Sequence, residues 1–130
     1  MSKSVWFFRI PVFIYLLIIT TLSSIPAPDL PHVVQLSPDK LLHLMEYFGL
    51  GFLLFRWGNT EKSEMKLSRL FILVWVLGAA YAGFDEVYQD FIPGRFMDLL
   101  DWVSDLTGVI LGSLVSYLFI SKGWFKKWMV

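Results

Sequence analysis

Residues 83–108 read GFDEVYQDFIPGRFMDLLDWVSDLTG. Two apolar stretches meet here across a turn, DFIPGR, in which Pro93 is rigid and Gly94 permissive. FILVWVLGAAYAGF leads into this segment and a second greasy run follows it, so helical spans are expected at 67–88 and 100–120. Asp85, Glu86, Asp98, Asp101 and Asp105 flank the turn. A carboxylate beside hydrocarbon is costly unless it is paired, so these acids mark either an ionic staple or a functional site.

The remainder of the chain is as apolar. With 130 residues, 56% of them hydrophobic, a mean hydropathy of +0.61, twelve Phe and six Trp, it cannot present an ordinary wet surface. One all-α integral membrane four-helix bundle spanning 1–130 is the expected fold. The formal net charge of zero and the lack of a basic face exclude nucleic acid as a partner. The absence of cysteine removes disulfides, thiolate ligands and thiol nucleophiles.

A first span is expected at 10–25, where Thr20, Thr21, Ser23 and Ser24 can return their hydroxyls to the helix backbone. Ser24, Pro26 and Ala27 after that run also fit a signal-peptide cleavage site, but the uncleaved reading keeps every later span in place and is preferred. The connection IPAPDLPHVVQLSP holds four of the six prolines and blocks a continuous helix. Ser37 or Asp39 is expected to cap the next helix, with Pro38 in its first turn and its span at 39–57. Lys40, His43, Glu46 and Tyr47 recur at three- and four-residue steps and share one side of it. The apolar stretch after Glu46 is too short to cross about 30 Å of hydrocarbon, which puts His43 and Glu46 within or at the edge of the membrane. Gly49 and Gly51 permit close packing, and Gly108 and Gly112 give the last helix a small-x-x-x-small surface.

Charge sets the orientation. Nine of the eleven Lys and Arg residues lie in the N-terminal end, the solvent-like loop RWGNTEKSEMKLSR and the C-terminal tail. The positive-inside rule therefore expects cytoplasmic termini, with nine of the eleven acids on the other side. The polar starts of the second and fourth helices and the end of the third then meet at one extracytoplasmic membrane depth.

Several roles fit the residues gathered there. Lys40, His43, Glu86, Gln89, Arg95, Asp101 and Asp105 are the candidate ligand-binding set. His43, Glu46 and Glu86 are candidate catalytic groups. His43, Glu46, Glu86, Asp101 and Asp105 are candidate N/O ligands for a divalent cation. No HExxH or Walker A pattern supports a sequence-local metal or nucleotide site, and Ser104 beside Asp105 lacks a nucleophile elbow. Plainer readings stand beside these: a packed His43, a Glu86–Arg95–Asp101 staple between the third and fourth helices, and wet boundary positions for Asp90 and Asp98. Trp6, Trp57, Trp102, Trp124 and Trp128 fall near span edges and Trp75 inside one, as an interfacial belt or lipid-facing bulk would.

Asp39-Lys40-x-x-His43, Glu86-x-x-Gln89, Pro93-Gly94-Arg95 and Asp101-x-x-x-Asp105-x-x-Gly108, in that order and spacing, resemble the VanZ-like membrane protein family from about Asp39 to Gly112. The family usually carries Asn where this chain has Asp105. The resemblance implies the four-span fold and an envelope role. One named family member is associated with reduced susceptibility to the glycopeptide teicoplanin. The expected activity is recognition of an anionic lipid or lipid-linked cell-wall component at the outer membrane-water boundary. The alternative is an intramembrane hydrolase or transferase acting on a phosphate-, ester- or glycan-bearing lipid. A second copy of the chain can supply a further wall to such a site.

Overall fold

In the computed structural model, residues 3–33 and 39–124 are described. They form four long helices, α1 (Lys3–Ser23), α2 (Asp39–Glu61), α3 (Leu67–Gln89) and α4 (Leu99–Ser121), with a single 3-10 turn at Ala27–Asp29. The expected runs at 67–88 and 100–120 fall inside α3 and α4. In contrast, α1 starts earlier than the expected 10–25 segment, continues through Pro11, and ends two residues sooner. Ser24 and Pro26 close it, the Ser24 hydroxyl turning back to the Thr20 carbonyl at 2.6 Å. Thr20 and Thr21 bond their own helix as expected, to Leu16 and Leu17, whereas Ser23 accepts from Gln89. The capping readings for Ser37 and Pro38, and the edge reading for Trp128, lie outside the described residues.

α2 and α4 run parallel and share the most extensive contact. The reason is a run of glycines: a Cβ at Gly108 would meet the backbone of Leu44 and Phe48, and one at Gly112 that of Phe48 and Phe52. Gly51 seats the Val109 backbone in return. Backbone-to-backbone approach of this kind is how helices associate where no hydrophobic force separates them from lipid. α1 and α3 run the opposite way. α1 is tied to α2 by the Arg9–Glu61 ion pair at one end and by the Tyr15 hydroxyl on the Glu46 carbonyl, 2.8 Å, nearer the other. Gly49 leaves room for that Tyr15 ring.

The bundle is apolar outside as well as in its core, where Ile19, Leu50, Phe55 and Val109 pack. Leu17, Ile72, Phe84 and Leu99 face outward, while Asp105, Ser113 and Ser116 are fully buried. Three helices, Trp6–Ser23, Leu67–Gln89 and Leu99–Ser121, are long and apolar enough to cross a membrane. α2 is not among them, because Lys40, His43, Glu46 and Arg56 interrupt its apolar run. Not all tryptophans form a belt, either. Trp75 donates to Ser113 Oγ and Trp102 to the Ala79 carbonyl, each at 3.0 Å, so both indoles tie α3 to α4.

Candidate functional site

His43, in the second turn of α2, is the hub of the polar end. Its Nδ1 stands 2.9 Å from Asp105 Oδ1 and 3.7 Å from Glu86 Oε1. Its Nε2 stands 3.7 Å from Asp101 Oδ2 and 3.8 Å from Asp39 Oδ1. Four carboxylates from three helices thus surround one imidazole. Their spacing follows from the helix period, Asp39 and His43 one turn apart on α2, Asp101 and Asp105 one turn apart on α4.

Lys40 answers part of this charge. Its Nζ reaches Asp101 Oδ1 at 2.9 Å and Asp98 Oδ2 at 3.1 Å. Asp98 is also the N-cap of α4, accepting from the Leu100 N–H at 2.8 Å. That N–H and then Lys40 hold its carboxyl below the ordinary 3.8. The Asp98 backbone N–H in turn donates to Glu86 Oε2 at 3.0 Å, fastening the turn to α3. Asp90 is exposed and accepts from the Met97 N–H.

The expected Glu86–Arg95–Asp101 staple does not form. Arg95 instead donates from Nε to the Ile25 carbonyl and from Nη2 to the Leu22 carbonyl, both at 3.0 Å, and from Nη1 to Gln89 Oε1 at 3.3 Å. Gly94, at φ +76°, turns the chain toward the end of α1. The carbonyls there lack the usual i+4 partner, Leu22 keeping only the Ile25 N–H at 3.2 Å, and they attract a cationic donor. Pro93 reinforces the junction, its carbonyl accepting from the Ala27 N–H at 3.1 Å. The α4 acids Asp101 and Asp105 are met instead from α2, by Lys40 and the His43 ring.

A cavity of about 710 Å³ opens between α1, α2 and the 25–31 connection. Ile18, Leu22, Leu42 and Met45 line its apolar part, and Asp39, His43, Glu46, Gln89 and Arg95 its polar part. A smaller space of about 300 Å³ adjoins it, sharing Asp39, Gln89 and Arg95 and adding Asp98 and Asp101. Of the residues expected to bind ligand, His43, Gln89 and Arg95 line the main cavity, and Asp101 the smaller one. Lys40, Glu86 and Asp105 line neither, but hold or adjoin residues that do.

Among the described residues, two groups have ligand atoms close enough to hold a metal ion, Asp39–His43–Asp101 and His43–Glu86–Asp105, each within 4.8 Å. Glu46 belongs to neither. It lies in the cavity wall, and its Oε1 has no hydrogen-bond partner among the described residues.

Sequence reasoning passed over Asp39 as a site carboxylate, although its four-residue step to His43 was the available signal. Tyr47, expected on the polar side of α2, and Asp85, expected among the acids flanking the turn, meet here. The Tyr47 hydroxyl and the Gln89 amide both donate to Asp85 Oδ2, at 3.1 and 3.2 Å, orienting Gln89 toward Arg95.

Fold and site together define a helical membrane bundle with a His–carboxylate cluster at the end of an apolar cavity. Residues 9–120 match the family model described as VanZ/LLP1, and the chain belongs to that family. No curated protein and no solved structure matches it.

Proposed function

We propose that the chain recognises an anionic amphiphile, a lipid or lipid-linked cell-wall component, at the outer membrane-water boundary. The observation that carries this reading is the state of Arg95. Its guanidinium lines both cavities, is fixed by three neutral acceptors, and forms no ion pair among the described residues. Three of its five N–H groups are used, which leaves two for a phosphate or carboxylate headgroup. Glu46 Oε1 in the same wall is a free acceptor for a sugar hydroxyl or an amine of that headgroup. The apolar residues Ile18, Leu22, Leu42 and Met45 would hold the lipid chain. Sequestering a lipid-linked wall component would change how much glycopeptide target the envelope displays, a route to altered glycopeptide susceptibility.

Native mass spectrometry of detergent-purified protein incubated with envelope lipids tests the reading. Wild type is expected to retain an acidic lipid, Arg95→Ala to lose it, and Leu42→Trp to lose it by filling the apolar part. Retention unchanged in both variants would sink the proposal. A hydrolase or transferase is the second reading, because His43 reaches the cavity while Asp105 orients its other ring edge, as a general base requires. Conversion of a lipid to a smaller product in the same incubation, lost in His43→Ala, would favour it.

The proposed orientation, with cytoplasmic termini and the cavity outside, rests on the basic residues at the opposite end, Arg9, Arg56, Lys62, Lys66 and Arg69. The chain has no cysteine of its own, so labelling is unambiguous. An impermeant thiol reagent applied to intact cells should modify Phe96→Cys and spare Ser63→Cys. The reverse pattern would invert the topology.

A further inference from the structure

Four buried side-chain oxygens lack a hydrogen-bond partner among the described residues, and two of them, Glu86 Oε1 and Asp105 Oδ2, belong to carboxylates that face the Nδ1 edge of His43. Their residues are 3% and 0% exposed. Each carboxylate has a partner on its other oxygen, yet a buried oxygen left without a donor is expensive, and two such acids around one imidazole call for a cation. Lys40 cannot serve both: it is bound to Asp98 and Asp101 on the Nε2 side of the ring. Arg95 is bound to Gln89 and the end of α1. One imidazolium would remain for Glu86 and Asp105 together.

We propose that His43, Glu86 and Asp105 bind one divalent cation through imidazole Nδ1 and a carboxylate oxygen of each acid. Ligand atoms about 2.1 Å from a common ion stand about 3 Å apart in cis and about 4 Å in trans. The separations of 2.9 Å from Nδ1 to Asp105 Oδ1 and 3.7 Å from Nδ1 to Glu86 Oε1 fall in that range. Nδ1 binds the ion in its deprotonated form, with the ring proton on Nε2. Asp101 and Asp39 lie 3.7 and 3.8 Å from that nitrogen, beyond hydrogen-bond reach but close enough for their charge to favour the proton there. The Asp98 N–H on Glu86 Oε2 fixes the Glu86 carboxylate while leaving its other oxygen free.

The alternative group, Asp39–His43–Asp101, is the poorer site. Asp39 is 70% exposed at its side chain, and the Lys40 ammonium already sits on Asp101 and would repel an ion there. One imidazole with two carboxylates suits a first-row ion such as manganese or zinc better than magnesium or calcium. This inference does not depend on amphiphile recognition.

Manganese is the probe. Full-length protein in detergent, stripped with a chelator, is titrated with Mn²⁺ and followed by electron paramagnetic resonance. Wild type should bind one ion per chain and show magnetic coupling to one imidazole nitrogen. The chain contains two histidines. The coupling should persist in His32→Ala and vanish in His43→Ala. Glu86→Gln and Asp105→Asn should each weaken binding at least tenfold, and Asp90→Asn, at the same end of the bundle, should leave it unchanged. Should His43→Ala fail to fold, the nitrogen coupling in wild type and His32→Ala still decides. Folded wild type that binds no Mn²⁺, or binds it without nitrogen coupling, overturns the proposal; a proton shared between the acids would answer the charge in that case. Equal binding by the Glu86 and Asp105 variants overturns it as well.

Discussion

Gly112→Val is expected to dismantle the α2–α4 pair. Any Cβ at position 112 would come within 2.9 Å of the Phe48 carbonyl carbon and the Phe52 nitrogen, and closer still to the Phe48 oxygen. These are backbone atoms in the middle of a helix and cannot swing aside as a side chain can. The helices must separate along their whole seam, which also lifts Gly108 off Leu44 and Phe48 and Val109 off Gly51. Overpacking typically costs about 1–3 kcal/mol and more where the backbone itself must move. Against a total stability of about 5–15 kcal/mol this is a large share. A loss on the order of 10 °C in melting temperature is expected for a chain of this size, together with poor recovery of monodisperse protein. Gly83→Ala is the control. The nearest atom to its added Cβ would be the Trp102 indole nitrogen at 3.6 Å, an ordinary contact, so it should melt within a degree or two of wild type. A Gly112→Val protein that melts with wild type would show that the seam is looser than the glycine contacts require.

Much of this architecture is legible in the sequence because hydrocarbon imposes few choices. A run such as FILVWVLGAAYAGF must satisfy its own backbone, so α3 follows from composition alone. The gathering of His43, Glu86, Asp101 and Asp105 follows from helix period and from the alternation of short connections. Partner choice did not follow. Arg95 is the nearest cation to Glu86 in sequence, yet two carbonyls at the end of α1 and the Gln89 side chain of α3 hold it. That outcome depends on the turn at Gly94 and on the position of the α1 terminus, neither of which spacing encodes. Asp39 was read as a helix start because its neighbours Ser37 and Pro38 suggest capping. Its second relation, to His43 one turn on, matters only once α4 brings Asp101 to the same ring. Sequence places Trp75 and Trp102 in bulk or at an interface because an indole pattern shows only apolarity; their N–H partners, Ser113 and Ala79, lie on another helix.

His43→Leu should be the most destabilising single change in the polar cluster. Asp105 is fully buried, its Oδ1 is 2.9 Å from His43, and its Oδ2 has no partner among the described residues. Removing the imidazole strands a carboxylate in the bundle interior. Breaking a buried pair from one side costs about 3–5 kcal/mol, most of it the penalty of the charge left behind. The expected signature is therefore non-additive. Asp105→Asn alone keeps the shape and a hydrogen bond to the ring while removing one of several crowded charges, and should be neutral or stabilising in the presence of chelator. It is also the residue that the family resemblance leads one to expect at this position. In His43→Leu/Asp105→Asn the buried group is an unsatisfied amide instead of a carboxylate, for which about 1–3 kcal/mol is the expected cost. Replacing Asp105 should thus return about 2 kcal/mol to the His43→Leu protein, a coupling readily measured by a double-mutant cycle of unfolding in chelator-treated detergent. Additive losses would mean that Asp105 is already neutral beside His43. The His43–Asp105 contact would then add no charge pairing between α2 and α4, and the cluster's three helices would be joined there by the Lys40 bridge to Asp101 and the Asp98 turn.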